Sequence, residues 1–137
     1  MVRHRFVLVR LVRQVDHAPE PDAPAPRRGR PRTYSDRLIA KAVVIMLCRR
    51  VFTAHALLEF LDQDDDLVRS LRPLLEEHGR FPSRRTWERR LAALPDDWPR
   101  RIGALGCYLA AVLKPWGRRK HAVAMDSTAL RTCGGQW

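Results

Sequence analysis

The feature that most constrains this chain is a series of short amphipathic segments in its middle, which begin at capping residues, the later ones also ending at a proline or glycine. Ser35, Thr53 and Ser83 are typical N-cap residues, because their side-chain oxygens accept hydrogen bonds from N–H groups left free in the first helical turn. Pro95 ends a segment, since proline lacks an N–H group and its ring clashes with the preceding turn. Apolar residues recur between these boundaries at spacings of three and four. The sequence therefore predicts a mainly α fold.

The first three expected helices follow one another closely. The helix after Ser35 has a wide apolar face between positions 38 and 46, with Lys41 on the opposite side, and it ends near Arg50. A second helix follows Thr53. The acidic run at positions 62–66 opens a third, because negative charge is favourable at a helix N-terminus, and Pro73 should kink or shorten it. Capping explains this acidic run more simply than a metal site.

The fourth expected helix begins after Ser83 and is strongly basic. Trp87, Leu91 and Leu94 form a stripe at helical spacing that should face the core. With the two preceding helices and a turn, this segment predicts a helix-turn-helix-like arrangement with a recognition helix. A solvated basic face is the alternative. The expected DNA-contacting residues of this helix are Arg84, Arg85, Arg89 and Arg90.

The last expected helix follows Asp96 or Asp97, with an apolar stripe from Ile102 to Leu113. The period then changes. The short apolar run Ala122 to Met125 is typical of a buried strand, and Gly134 marks a turn, so a strand or hairpin stub should end the chain.

Upstream of Ser35 the sequence has no clear period. Residues 1–17 are basic and apolar, and we expect an arm. Alternating prolines make residues 18–26 an extended linker. The following R-R-G-R-P-R resembles an AT-hook, a strip that can lie in a narrow A·T minor groove. A basic linker with only phosphate contacts is the alternative. The arginines of this strip are Arg27, Arg28, Arg30 and Arg32.

Charge narrows the class of partner. The chain has 26 Lys and Arg against 15 Asp and Glu, so its formal net charge is +11. Such an excess favours a polyanion, most commonly nucleic acid. The apolar run near the N-terminus is too short and too interrupted for a membrane span and lacks the features of a secretory signal, so we expect a cytoplasmic protein. The three cysteines show no metal-binding or disulfide spacing.

Asp126 is the one candidate for chemistry. A carboxylate at the end of a strand can hold a divalent metal for phosphodiester chemistry. An ordinary strand-end turn residue is the alternative that spacing alone favours.

Three blocks of sequence resemble insertion-sequence transposases of the DDE class. They read G-R-P-R-T-Y-S-D-R-L-I from Gly29, G-R-F-P-S-R-R-T-W-E-R-R-L-A-A-L-P from Gly79 and A-M-D-S-T-A-L-R-T-C-G-G-Q-W from Ala124. The resemblance implies a helical N-terminal region that binds the element's terminal repeats and an RNase H-like catalytic domain after it. It also implies that Asp126 is the first of three carboxylates around two Mg²⁺ ions. The second Asp and the Glu have no counterpart here.

We therefore expect a DNA-binding N-terminal fragment of a transposase, inactive in cleavage by itself and binding Mg²⁺ only weakly. The expected units are a basic arm and linker at 1–33, a helical DNA-binding domain at 34–117 and the first strands of an incomplete catalytic domain at 118–137. Two alternatives stay open: a stand-alone helix-turn-helix regulator, and a first-frame subunit completed by a second polypeptide. Double-stranded DNA is the expected partner, and a second copy of the chain remains an open one.

Overall fold

The computed structural model describes residues 2–19, 29 and 33–113. Within them the chain is mainly α, with six α-helices, two 3-10 turns and no β-strand, which confirms the predicted helical class for this part. The helices are α1 (Val2–Gln14), α2 (Asp36–Arg49), α3 (Ala54–Leu61), α4 (Asp66–Leu71), α5 (Arg84–Ala92) and α6 (Trp98–Leu113). The 3-10 turns are Val15–His17 and Arg72–Leu75. The strand expected at residues 122–125 lies outside the described residues.

The predicted N-caps are confirmed. Each cap's hydroxyl accepts a hydrogen bond from the N–H group three residues on, at 3.2 Å for Ser35, 3.1 Å for Thr53 and 3.3 Å for Ser83. The acidic run also begins a helix as expected, because the Asp65 carboxylate accepts from an N–H in the first turn of α4 at 3.4 Å. These boundaries follow from groups close in sequence, so they could be read without a fold.

A two-residue turn holds the start of α2 in place. His78 and Gly79 both have positive φ, and Glu77 and Arg80 exchange backbone hydrogen bonds at 3.1 and 3.0 Å across them. Gly79 adopts this conformation without the steric penalty that a side chain brings. The turn directs Glu77 at the N-terminus of α2, where it accepts hydrogen bonds from the N–H group of Ser35 at 2.9 Å and from its hydroxyl.

Helix α1 is the largest departure from the sequence-based prediction. We expected residues 1–17 to form a basic arm, and that expectation was wrong: they contain α1 and a 3-10 turn, and the helix packs against α2, α4 and α6. Leu8, Val9, Val12 and Val15 are buried and belong to the single core cluster. The β-branched valines and the arginines between them obscured a helical period, and packing against three helices supplies the stability that local propensity lacks.

Two basic side chains of α2 bind the 3-10 turn that follows α1. Lys41 lies buried, with Nζ 2.7 Å from Asp16 Oδ1 and 3.2 Å from the carbonyl oxygen of Leu74. Arg37 donates to the carbonyl oxygens of Val15, at 3.0 Å, and of Asp16. The expectation that Lys41 lies on the side opposite the apolar face was wrong, because a lysine can be buried where a carboxylate and a carbonyl oxygen satisfy its ammonium group.

As predicted, proline shortens the third expected helix, which ends at Leu71 and continues as the 3-10 turn Arg72–Leu75. Among the described residues of the predicted core stripes, one is exposed. In α6, Leu109 is buried, while Val112 is 45% exposed and so does not belong to the core stripe expected for it.

Candidate nucleic-acid interface

Helix α5 has a fixed orientation on the surface of the bundle. It packs against α3, and the Trp87 side chain is fully buried at 0% exposure, with its ring centroid 5.9 Å from that of Phe81. Leu91 and Leu94 pack against the same core. A tryptophan buried in this way prevents the helix from rotating, so the residues opposite Trp87 must face outward.

Arg85 and Arg89 are those outward residues. They are spaced i, i+4, so their side chains lie one above the other on a single face, and both are exposed. Neither makes a hydrogen bond or an ion pair within the part of the chain that the structure describes. The structure therefore places two uncompensated guanidinium groups side by side on the outer face of α5.

Arg84 lies on the edge of that face nearest α3. Its Nε donates to Glu88 Oε1 at 2.8 Å, and its Nη2 lies 3.4 Å from Nδ1 of His55. His55 in turn lies 3.2 Å from Glu59. Exposed pairs of this kind contribute only about 0.3–0.5 kcal/mol, so Arg84 can exchange Glu88 for a phosphate at small cost. Its predicted DNA contact remains a prediction.

Arg90 faces the opposite way. Its side chain is 13% exposed, and Nη2 lies 2.7 Å from Asp36 Oδ1, while Nη1 donates to the carbonyl oxygen of Tyr34 at 2.8 Å. The same carboxylate reaches Arg101 of α6 at 3.6 Å. The sequence predicted that Arg90 contacts DNA. In the structure its side chain instead joins α5 to the start of α2 and does not belong to the outer face of α5.

A basic and apolar corner beside α3 was not expected from the sequence. We name the stretch Arg49 to Phe52, between the last turn of α2 and α3, the α2–α3 corner. Arg49 and Arg50 are exposed there, and Phe52 is 78% exposed. The guanidinium carbon of Arg49 lies 4.8 Å from the ring centroid of Phe60. In the sequence, the two arginines are typical of the last turn of a helix, so they predict no binding role. Nothing in the sequence indicates that a phenylalanine is exposed and not buried.

The acidic run is accounted for by structural contacts. Asp62 pairs with Arg72 at 3.2 Å, and Asp64 pairs with Arg69 at 2.5 Å. Among residues 2–19, 29 and 33–113, no group of three His, Cys, Asp or Glu side chains is placed to hold a metal ion.

Several expected site residues lie outside the described residues. They are Arg27, Arg28, Arg30 and Arg32 of the AT-hook-like strip and Asp126, the expected metal ligand. Their roles stay predictions from sequence.

Comparison of the chain with protein-family models, curated proteins and solved structures found no match. The resemblance to DDE transposases therefore rests on the three sequence blocks alone. None of the described helices combines the length and apolar character needed to cross a membrane.

Proposed function

We propose that this chain binds double-stranded DNA through the outer face of α5, which acts as a recognition helix. The proposal rests on one observation: two arginines lie on the face of α5 opposite the tryptophan that anchors the helix in the core. Arg85 and Arg89 point outward and have no partner among the described residues, while Trp87 between them is fully buried. A helix held this firmly fixes the backbone positions of its arginines, so conformational freedom is lost on binding only by their side chains.

The dimensions and charge of the surface suit a duplex. An α-helix with side chains is about 10–12 Å across, and the major groove of B-DNA is about 12 Å wide. Arginine donates to two acceptors of guanine at once and also binds phosphate. The net charge of +11 adds a sequence-independent attraction to the phosphate backbone.

The packing of α3 against α5 supports a helix-turn-helix-like arrangement, although α4 and the 3-10 turn Arg72–Leu75 lie between the two in sequence. With the resemblance to DDE transposases, it leads us to propose that the DNA is a transposon end and that the helical region precedes an RNase H-like unit beginning near Asp126. A stand-alone regulator would use the same face of α5, so the DNA target distinguishes the two functions.

A binding titration at several salt concentrations tests the proposal. The logarithm of the binding constant should fall linearly with the logarithm of salt concentration, with a slope of about −0.9 per phosphate neutralised. Changing Arg85→Ala and Arg89→Ala together should weaken binding at least tenfold, and thermal stability should change little because exposed substitutions usually alter it by no more than about 0.5 kcal/mol.

The control removes the same charge elsewhere. Arg10 and Arg13 lie exposed on α1 and make no ion pair within the described ranges. Their double alanine variant matches the change in net charge, so it should lose much less affinity than the α5 variant. Equal losses in the two variants would reduce the interaction to general charge attraction, and a salt-independent affinity would contradict DNA binding through arginines altogether.

A further inference from the structure

We propose that the α2–α3 corner is a second contact to the same DNA duplex, in which Arg49 and Arg50 bind phosphates and the ring of Phe52 packs against a base step. This inference rests on the proposed function of α5. It adds a contact that carries an apolar group as well as charge, and it predicts a local change in base stacking that α5 alone would not produce.

The corner is connected through α3 to the N-terminal end of α5. It leads directly into α3, whose first turn contains His55, and Nδ1 of His55 lies 3.4 Å from Nη2 of Arg84 in the first turn of α5. The two helices pack against each other. Duplex DNA carries one negative charge per about 1.7 Å of its axis, so a duplex lying along α5 presents further phosphates to the neighbouring helix start.

Phe52 is the most exposed of the large apolar residues that the structure describes. The ring is 78% exposed, whereas Phe60 is 7% exposed. Leu47, in the last turn of α2, is 53% exposed, and its carbonyl oxygen accepts a hydrogen bond from the N–H group of Arg50, so a second exposed apolar side chain lies near the two arginines in sequence. The positive charge of the adjacent Arg49 and Arg50 favours DNA as the partner of this ring over the apolar surface of another protein. Proteins that kink DNA combine basic side chains with an apolar wedge between base steps in the same way.

The backbone at Arg50 gives independent support. Arg50 follows the last residue of α2 with φ of 54°, in the left-handed region, and its N–H donates to the carbonyl oxygens of Leu47 and Met46. Glycine is the usual residue at this position after a helix, because it lacks the Cβ atom that makes the conformation costly. Because the turn itself does not require an arginine at this position, we infer that the exposed side chain of Arg50 serves the proposed phosphate contact.

The first experiment separates the side chain of Arg50 from its backbone. Arg50→Gly should keep or raise the melting temperature of the full chain, because the left-handed conformation becomes easier, yet it should weaken duplex binding. In the salt titration, Arg50→Gly and Arg49→Ala should each make the log–log slope shallower by about 0.9, as expected for one lost phosphate contact. Arg13→Ala on α1 serves as the single-charge control and should leave the slope unchanged.

The second experiment tests the ring. Phe52→Ala should lower affinity about tenfold, on the scale of one lost base–aromatic contact, without changing the salt slope. With 2-aminopurine placed at successive positions of the duplex, the wild-type chain should raise the fluorescence at one base step, which reports local unstacking. Phe52→Ala should abolish that signal and Phe52→Trp should retain it.

The outcomes distinguish this inference from the function on which it rests. Wild-type binding that depends on Arg85 and Arg89, with no effect of the corner variants, overturns the inference and leaves the function of α5 intact. Failure of the wild-type chain to bind any duplex overturns both. If Phe52→Ala changes only self-association in sedimentation and not DNA affinity, the corner is a protein contact and the inference is wrong.

Discussion

Arg90 Nη2 lies 2.7 Å from Asp36 Oδ1, an ion pair that joins α5 to the first turn of α2. Arg89, the preceding residue, is exposed and unpaired within the part of the chain that the structure describes. Adjacent arginines of one helix therefore lie in different surroundings, because successive helical residues point about 100° apart. One stabilises the bundle, and the other is available to a ligand.

Substituting these neighbours one at a time should therefore separate stability from binding. Arg90→Ala should lower the free energy of unfolding by about 1–2 kcal/mol, since the carbonyl oxygen of Tyr34 and the partly exposed carboxylate of Asp36 each lose a hydrogen-bond donor, and should leave the salt slope of DNA binding unchanged. Arg89→Ala should leave the free energy of unfolding nearly unchanged and should make the salt slope of DNA binding shallower. Urea unfolding followed by circular dichroism and the salt titration measure the two effects. A shallower salt slope for Arg90→Ala would contradict this prediction and show that Arg90 contacts DNA.

Trp87 should be the most sensitive position of α5. Trp87→Ala should cost about 3–5 kcal/mol, because it leaves a cavity beneath the helix. Trp87→Phe should cost clearly less, since it keeps an aromatic ring and removes an indole N–H that has no hydrogen-bond acceptor among the described residues. Thermal denaturation of both variants tests this order. If the alanine variant were as stable as the phenylalanine variant, Trp87 would not anchor the helix.

Removal of α1 should unfold the helical bundle. A chain that starts at residue 20 would expose the surfaces of α2, α4 and α6 that now cover Leu8, Val12 and Val15, and Lys41 would lose the carboxylate of Asp16. We expect its cooperative unfolding transition to disappear. The exposed substitution Arg10→Ala in the same helix should change stability by no more than about 0.5 kcal/mol. A truncated chain with a sharp transition would show that α1 is dispensable.

The AT-hook-like strip leads to a prediction from sequence alone. Changing Arg28, Arg30 and Arg32 to alanine in the full chain should reduce the preference for A·T-rich over G·C-rich duplex, because the narrow A·T minor groove attracts guanidinium groups most strongly. Competition between the two probes measures the preference. If wild-type and variant chains show the same ratio, the strip contributes only phosphate contacts.

The sequence predicted the helix boundaries well because they depend on neighbours. Ser35, Thr53 and Ser83 each bond to an N–H group three residues away, and such a contact forms wherever the local backbone turns into a helix. The buried position of Trp87 and the outward positions of Arg85 and Arg89 followed from the 3.6-residue period in the same way.

Contacts between residues distant in sequence were decided only by the tertiary structure. The partner of Arg90 lies 54 positions away, so the basic run around Arg90 does not reveal that this arginine binds a carboxylate of α2. Residues 2–14 form a helix because α2, α4 and α6 bury it, and the ammonium group of Lys41 is buried because Asp16 reaches it. The sequence by itself determined where the helices from α2 to α6 begin and which face of α5 is apolar. Packing between distant segments decided which charged groups are used within the fold and which remain on its surface for a partner.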